Sequence, residues 1–170
     1  MQKRNQLKYK FISTEQKIFS KQFSLRKKIR NPKSQIRNHM IQMFEKYMIV
    51  ENDAENIVEN GKVTGFKFGA RLPYYRGIAL SLVEDIVVKV DGEDVPRETI
   101  KFSAHDNTYT LQQMETEVDD RWNMGEIAHI IVQKEGGLPK GEHKIFMLLN
   151  MRIAYLPFPS IRKSEKTITV

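Results

Sequence analysis

AENIVENGKVTGFKF, residues 54–68, decides the fold class. Asn60-Gly61 is a strong signal for a two-residue turn, because both residues tolerate positive φ and the twist of such a turn matches that of paired strands. It joins the run AENIVE to KVTGFKF, in which Val63, Phe66 and Phe68 are apolar with Gly65 and Lys67 between them. A glycine inside a strand points to a bulge or to a close backbone approach. The two runs therefore read as a β-hairpin.

The same rhythm continues on both sides. Residues 78–90, IALSLVEDIVVKV, hold a long β-branched run, and Asp91-Gly92 follows at once, which marks a second tight hairpin. Ile100, Phe102, Tyr109 and Leu111 mark further short strands, and EIAHIIVQ (126–133) is again rich in β-branched residues. The loop KEGGLPKGEH (134–143) separates it from KIFMLLNMRIAYL (144–156). Within that last run IFMLLNMRI is open between strand and helix, because Met and Leu also favour helix. The tail TITV (167–170) can supply a final edge strand. Many short strands at regular spacing predict an all-β fold, a two-sheet antiparallel β-sandwich.

Charge divides the 170-residue chain in two. Residues 1–42 carry 12 Lys or Arg against one acid, Glu15, a net +11, whereas residues 43–170 carry 16 against 20, a net −4. The high isoelectric point belongs to a basic leader, and a nucleic-acid-binding body is not implied. The leader contains a weak helical signal at residues 15–25 and has neither the apolar stretch nor the cleavage site of a secretory signal. Met43 opens MFEKYMIVEND, so residues 1–42 read as a leader dispensable for folding and residues 43–170 as one sandwich domain. No apolar run reaches the roughly 18 residues of a membrane span. The absence of cysteine removes disulfides and thiolate chemistry and fits a cytoplasmic location.

Candidate chemistry is sparse. His39, His105, His129 and His143 show no metal-binding spacing. His129, in an apolar run, reads as a half-buried histidine with one satisfied nitrogen; His105-Asp106-Asn107 reads as turn chemistry; His143, after a loop, is expected at the surface. Glu115, Glu117, Asp119 and Asp120 could form a cation site but lack the spacing of known loops, and a solvated loop is the preferred reading. Trp122, the sole tryptophan, is either a core plug or an anchor at an interface or sugar site. Arg71-Leu72-Pro73-Tyr74-Tyr75-Arg76-Gly77 places two tyrosines between two arginines, a surface able to stack and to donate forked hydrogen bonds, weighed against ordinary loop packing. Tyr155-Leu156-Pro157-Phe158-Pro159 is a stiff apolar segment of similar kind. No nucleophile elbow, phosphate loop or dinucleotide fingerprint is present, and no catalytic residue is assigned.

YMIVEND (47–53), GFKFGARLPYYRGIALSLVEDIVVKVDGEDVP (65–96), NTYTLQQMETEVDDRWNMGE (107–126) and RIAYLPFPS (152–160) carry a resemblance. On these segments residues 43–170 resemble the small, β subunit of bacterial C-glycoside deglycosidases; the leader has no counterpart there. The resemblance implies a hetero-oligomer in which a larger α subunit, a barrel, holds a divalent, manganese-like metal, and the β-sandwich subunit binds no cofactor of its own. It implies C–C bond cleavage in 3-oxo-C-glucosides of flavonoids and related phenols, made by a separate oxidoreductase. A ketone at C3 acidifies the C2 proton, and the aglycone then departs from C1 by elimination. Two carboxylates alone do not suffice, since a carbon leaving group offers no lone pair to protonate. Arg71, Tyr74, Tyr75 and Arg76, then Trp122, Tyr155, Pro157, Phe158 and Pro159, are the candidates for contact with substrate or partner. The competing readings are a stand-alone carbohydrate-binding or adaptor sandwich, a nucleic-acid binder acting through the leader, and a self-sufficient isomerase or lyase.

Overall fold

The computed structural model describes residues 44–170. The leader, its weak helix at residues 15–25 and His39 lie outside the described residues. Eleven strands follow: β1 (Ile49–Glu59), β2 (Lys62–Arg71), β3 (Ile78–Ala79), β4 (Val83–Val90), β5 (Glu93–Asp94), β6 (Ile100–Ala104), β7 (Asn107–Thr110), β8 (Arg121–Trp122), β9 (Ile127–Gln133), β10 (Glu142–Met151) and β11 (Ser160–Thr169). A five-stranded sheet has the order β1-β2-β9-β6-β7, a four-stranded sheet the order β11-β10-β4-β5, and β3 pairs with β8 separately. Every one of these pairings is antiparallel. The all-β sandwich expected from the strand rhythm is the observed architecture.

Turn chemistry sets the registers. Asn60 and Gly61 have φ of 51° and 77°, and Asp91 and Gly92 have 52° and 91°, so each pair forms the two-residue turn that its sequence announces. His105 and Asp106 complete a third such turn, between β6 and β7, with φ of 49° and 66°. The period-2 alternation then fixes which face is buried. Phe66, Phe68 and Ala70 of β2, Phe102 of β6 and Ala128, Ile130 and Val132 of β9 point inward from one sheet. Ile86 and Val88 of β4 and Ile145, Met147, Leu149 and Met151 of β10 point inward from the other, and together they form one core.

Gly65 has both roles its position suggests. The β1–β2 register shifts between Ile57 and Val58, so the strand is bulged there. A Cβ on Gly65 would lie 2.3 Å from the carbonyl oxygen of Val132, so only glycine lets β9 come this close. A polar clamp also holds this end of the sheet: the Asn56 side chain donates to Leu138 O (2.8 Å) and accepts from Leu138 N–H (2.9 Å).

Three local expectations change. IFMLLNMRI, open between helix and strand, is strand through Met151, because its alternate residues meet β4 on one side and β11 on the other. Leu111 is the first residue of a short helix, α1 (Leu111–Met114), and not of a strand. Thr110 caps that helix: its hydroxyl accepts from Gln113 N–H, and the Gln113 side chain accepts from Thr110 N–H. The last strand begins at Ser160, seven residues before TITV. Its stretch IRKSEKT lacks an apolar signal because alternate side chains face water.

Candidate functional site

The loop between β2 and β3 and the loop between β10 and β11 are about eighty residues apart in sequence and meet through three phenols. Tyr74 donates a hydrogen bond to the Tyr155 hydroxyl at 3.1 Å, and the Tyr75 hydroxyl is 3.5 Å from the same oxygen. Tyr74 and Tyr75 pack edge to face with ring centroids 4.7 Å apart. The Arg76 guanidinium lies over the Tyr75 ring, 5.2 Å from its centroid. Tyr75, Tyr155 and Phe158 are exposed, the last two to 62%. Burial pushes the Tyr74 hydroxyl well above the usual phenol range, and its bond to Tyr155 adds to this. Tyr75 is drawn below that range, first by its hydrogen bond with Tyr155. The surface thus combines exposed aromatic faces, one cation and hydroxyls of unequal acidity, a set able to stack on a planar phenolic ring and to hydrogen-bond its oxygens.

The structure sorts the sequence candidates. Tyr74, Tyr75, Arg76 and Tyr155 are joined, and Pro157, Phe158 and Pro159 continue the same loop as exposed residues. Arg71 stands apart at the end of β2, opposite Ile127, with its backbone N–H donating to Met48 O at 2.8 Å. Trp122 must be withdrawn as a contact candidate. Its side chain is 0% exposed and packs edge to face on Phe102 at 5.1 Å, so it is the core plug and not the anchor. An indole in this position has no surface to offer a ligand.

The histidines and acids fall into pairs. His129 is half-buried with Nε2 3.2 Å from Asp53, as its sequence position suggested. His143, expected at the surface, has a side chain only 12% exposed. Its Nδ1 lies 2.8 Å from Asp91 and its Nε2 2.8 Å from Pro139 O, so the hairpin turn and the preceding loop enclose it. The four acids before Trp122 disperse. Glu115 pairs with Arg97, Glu117 accepts the backbone N–H groups of Asp119 and Asp120, and Asp120 points to the β6–β7 turn. Among the described residues no three His, Cys, Asp or Glu side chains converge as metal ligands.

Sequence reasoning missed what surrounds Asp120. His105 and Tyr109 both reach this carboxylate at 2.9 Å, Asn107 lies 3.5 Å away, and the Arg121 backbone N–H donates to it at 2.8 Å. Burial pushes Asp120 up, yet these donors together hold it below the usual carboxylate range. The partners come from a turn and a loop fifteen residues apart, and only the β6–β7 hairpin brings them together. A polar, acid-rich loop following a His-Asp turn was the available hint.

Fold and loops define a β-sandwich with an exposed aromatic patch where the β2–β3 and β10–β11 loops meet. The family described as C-glycoside deglycosidase beta subunit matches residues 44–155, and the chain belongs to that family. Three relatives are similar to it. The C-glycoside deglycosidase beta subunit of Eubacterium cellulosolvens is 32% identical over 67% of this chain and 78% of its own length. The 3'-dehydrocarminate deglycosidase beta subunit of a Microbacterium species is 32% identical over 68% of this chain and 83% of its own. A C-glycoside deglycosidase beta subunit of Arthrobacter globiformis is 24% identical over 62% and 81%. No helix among the described residues is long and apolar enough to cross a membrane.

Proposed function

We propose that the chain is the small subunit of a heteromeric C-glycoside deglycosidase, and that its tyrosine loops wall the substrate pocket on a larger partner and hold the aglycone there. Family membership and the "beta subunit" of its relatives' names support the assembly. The Microbacterium relative's name, with its 3'-dehydro substrate, supports a sugar oxidised before cleavage. For this chain the substrate class is a 3-oxo-C-glucoside of a flavonoid or related phenol, and the reaction is elimination of the aglycone carbon from C1. The oxidised C3 makes the neighbouring proton removable, which substitutes for the missing lone pair on the leaving group.

The proposed division of labour is compatible with the donor sets. A divalent metal finds no ligand set among the described residues, and their histidines and acids are engaged with one another. In this reading, which rests on the family resemblance, the metal and the base belong to a larger, barrel-shaped subunit of a cytoplasmic hetero-oligomer. This chain supplies stacking faces, the Arg76 cation and exclusion of water, which strengthens every polar contact in a pocket.

The observation that carries the reading is the convergence of Tyr74, Tyr75, Arg76 and Tyr155 from two distant loops onto one exposed patch. The test is reconstitution with the neighbouring large subunit and assay on a 3-oxo-C-glucoside. Tyr75→Ala and Arg76→Ala should each lower kcat/KM by about tenfold, the loss of one stacking or charged contact, with this chain still folded and assembled. Unchanged kinetics in both variants would remove the loops from the pocket, and full activity of this chain alone would refute the division of labour.

A further inference from the structure

His105 stands between two carboxylates supplied by different parts of the chain. Its Nδ1 is 2.9 Å from Asp120 Oδ1, and its Nε2 is 2.8 Å from Glu126 Oε1. A neutral imidazole carries one N–H and the imidazolium carries two. The Asp120 contact is a hydrogen bond and the Glu126 contact is a charge pair, and only the protonated ring satisfies both. In the neutral ring the charge that holds Glu126 is gone, which leaves a carboxylate oxygen 2.8 Å from an uncharged imidazole, and that contact opens.

The two carboxylates in turn hold the segment that anchors the tyrosine loop. The backbone carbonyl of Asp120 accepts from Leu80 N–H at 3.0 Å, and β8 pairs with β3. Arg121 donates through Nη2 to Gly77 O at 2.8 Å, one residue after Tyr74-Tyr75-Arg76. Glu126 accepts from Asn123 N–H at 3.0 Å, and its backbone carbonyl faces the Trp122 indole N–H at 3.4 Å. A chain of contacts therefore runs from His105 through Asp120 and Arg121 to Gly77.

We infer that doubly protonated His105 is a latch: it clamps residues 120–126 and so positions the tyrosine loop, and loss of one proton releases a carboxylate and loosens that loop. The latch itself stands on the geometry alone; its effect on turnover rests on the loop reading proposed above. The charged groups that contact the ring are acidic, and its remaining face is open to water. Asp120 precedes β8, Glu126 precedes β9 and Asp106 belongs to the ring's own turn, while the Tyr109 hydroxyl of β7 reaches Asp120 and the nearby Arg121 guanidinium is turned to Gly77. This setting raises the His105 pKa above 6.5, chiefly through the bond to Asp120 and the charge of Glu126. A folded-state pKa above the unfolded one means that the clamp is fully formed below 6.5 and is lost as pH rises through the folded value.

Trp122, the sole tryptophan, is buried two residues from Asp120, so its emission reports the clamp without any activity assay. In the full chain, emission should move to longer wavelength as pH rises above the folded His105 pKa. Exchange of the Leu80 and Ser81 amides, corrected for its intrinsic pH dependence, should quicken about tenfold over the same range. His105→Gln should abolish both transitions, Asp120→Asn and Glu126→Gln should lower their midpoint, and His143→Gln should leave them in place. Identical transitions in His105→Gln and the parent would overturn the latch, as would flat signals in the parent between about pH 6 and pH 9. A working latch combined with unaltered kinetics of Tyr75→Ala and Arg76→Ala would sink the pocket assignment and leave the latch standing.

Discussion

Replacing Gly65 by alanine should be the most damaging single methyl addition in the sandwich. The new Cβ would sit 2.3 Å from Val132 O and 3.2 Å from Val132 C, both backbone atoms of the neighbouring strand. Ordinary contact needs about 3.5 Å, so β9 must retreat by roughly 1 Å. Gly65 opposes Gln133 at the end of the β2–β9 ladder, so the strain is relieved by fraying that end. Fraying opens the hydrogen bonds from Lys134 N–H to Thr64 O (3.1 Å) and from Gly136 N–H to Val63 O (3.0 Å). Each contributes about 1 kcal/mol net, and the reduced freedom of the unfolded chain returns about 0.5 kcal/mol. With overpacking included the loss should be about 2–3 kcal/mol, a fall in Tm of roughly 6–12 °C for a domain of this size. Urea unfolding followed by Trp122 emission measures it. Gly69→Ala is the control, because its Cβ would meet Asp53 Oδ2 at 2.4 Å, the mobile end of a side chain that can turn away. That variant should cost under about 1 kcal/mol, the worth of the partly exposed Asp53–His129 contact. If Gly65→Ala proves as stable as Gly69→Ala, the close approach of β9 is not a constraint and the argument fails.

Asn56→Ala removes both bonds to the Leu138 backbone and should destabilise by about 2 kcal/mol, read by the same urea titration; an unchanged midpoint would show that water replaces the clamp freely. The Asp91–His143 pair sets limits on stability at both ends of the pH scale. Its hydrogen bond to Asp91 raises the His143 pKa above 6.5, so that contribution is complete below 6.5 and is lost as pH rises through the folded value. The bond to His143 lowers the Asp91 pKa below 3.8, so that contribution is present above 3.8 and is lost as pH falls through the folded value. His143→Gln should flatten the alkaline limb of a Tm-against-pH profile, and an unaltered limb would contradict the pairing.

The fold was legible where a residue's own chemistry dictates backbone shape. Asn60-Gly61 and Asp91-Gly92 announce their turns because positive φ is costly for most other residues. β10 was ambiguous because Met147, Leu148 and Leu149 suit a helix equally well, and only pairing with β4 and β11 on both sides decides it. Leu111 was misread although Thr110 and Gln113 spell a capping box, a signal that was present and outweighed by the surrounding strand pattern. The tyrosine patch was half legible: each loop declared itself by composition, but the bond between Tyr74 and Tyr155 spans the whole sandwich in sequence. The latch was hidden altogether, since His105, Asp120 and Glu126 become neighbours only when β6, β7 and β9 are in register. Trp122 shows the converse, a residue whose rarity suggested function and whose burial explains it instead.

The ends of the two sheets bear on how a small subunit survives before it meets a partner. On one flank β5 and β7 are only two and four residues long, and on the other β1 and β11 lie alongside each other and are tied by Glu51 and Lys166. The charged alternation of β11, with Arg162, Lys163, Glu165 and Lys166, repels an incoming strand. Little unsatisfied backbone is left to template the stacking of copies into fibres or precipitate. Among the described residues, side chains at the loop tips rather than strand edges are what the sandwich leaves open to another surface.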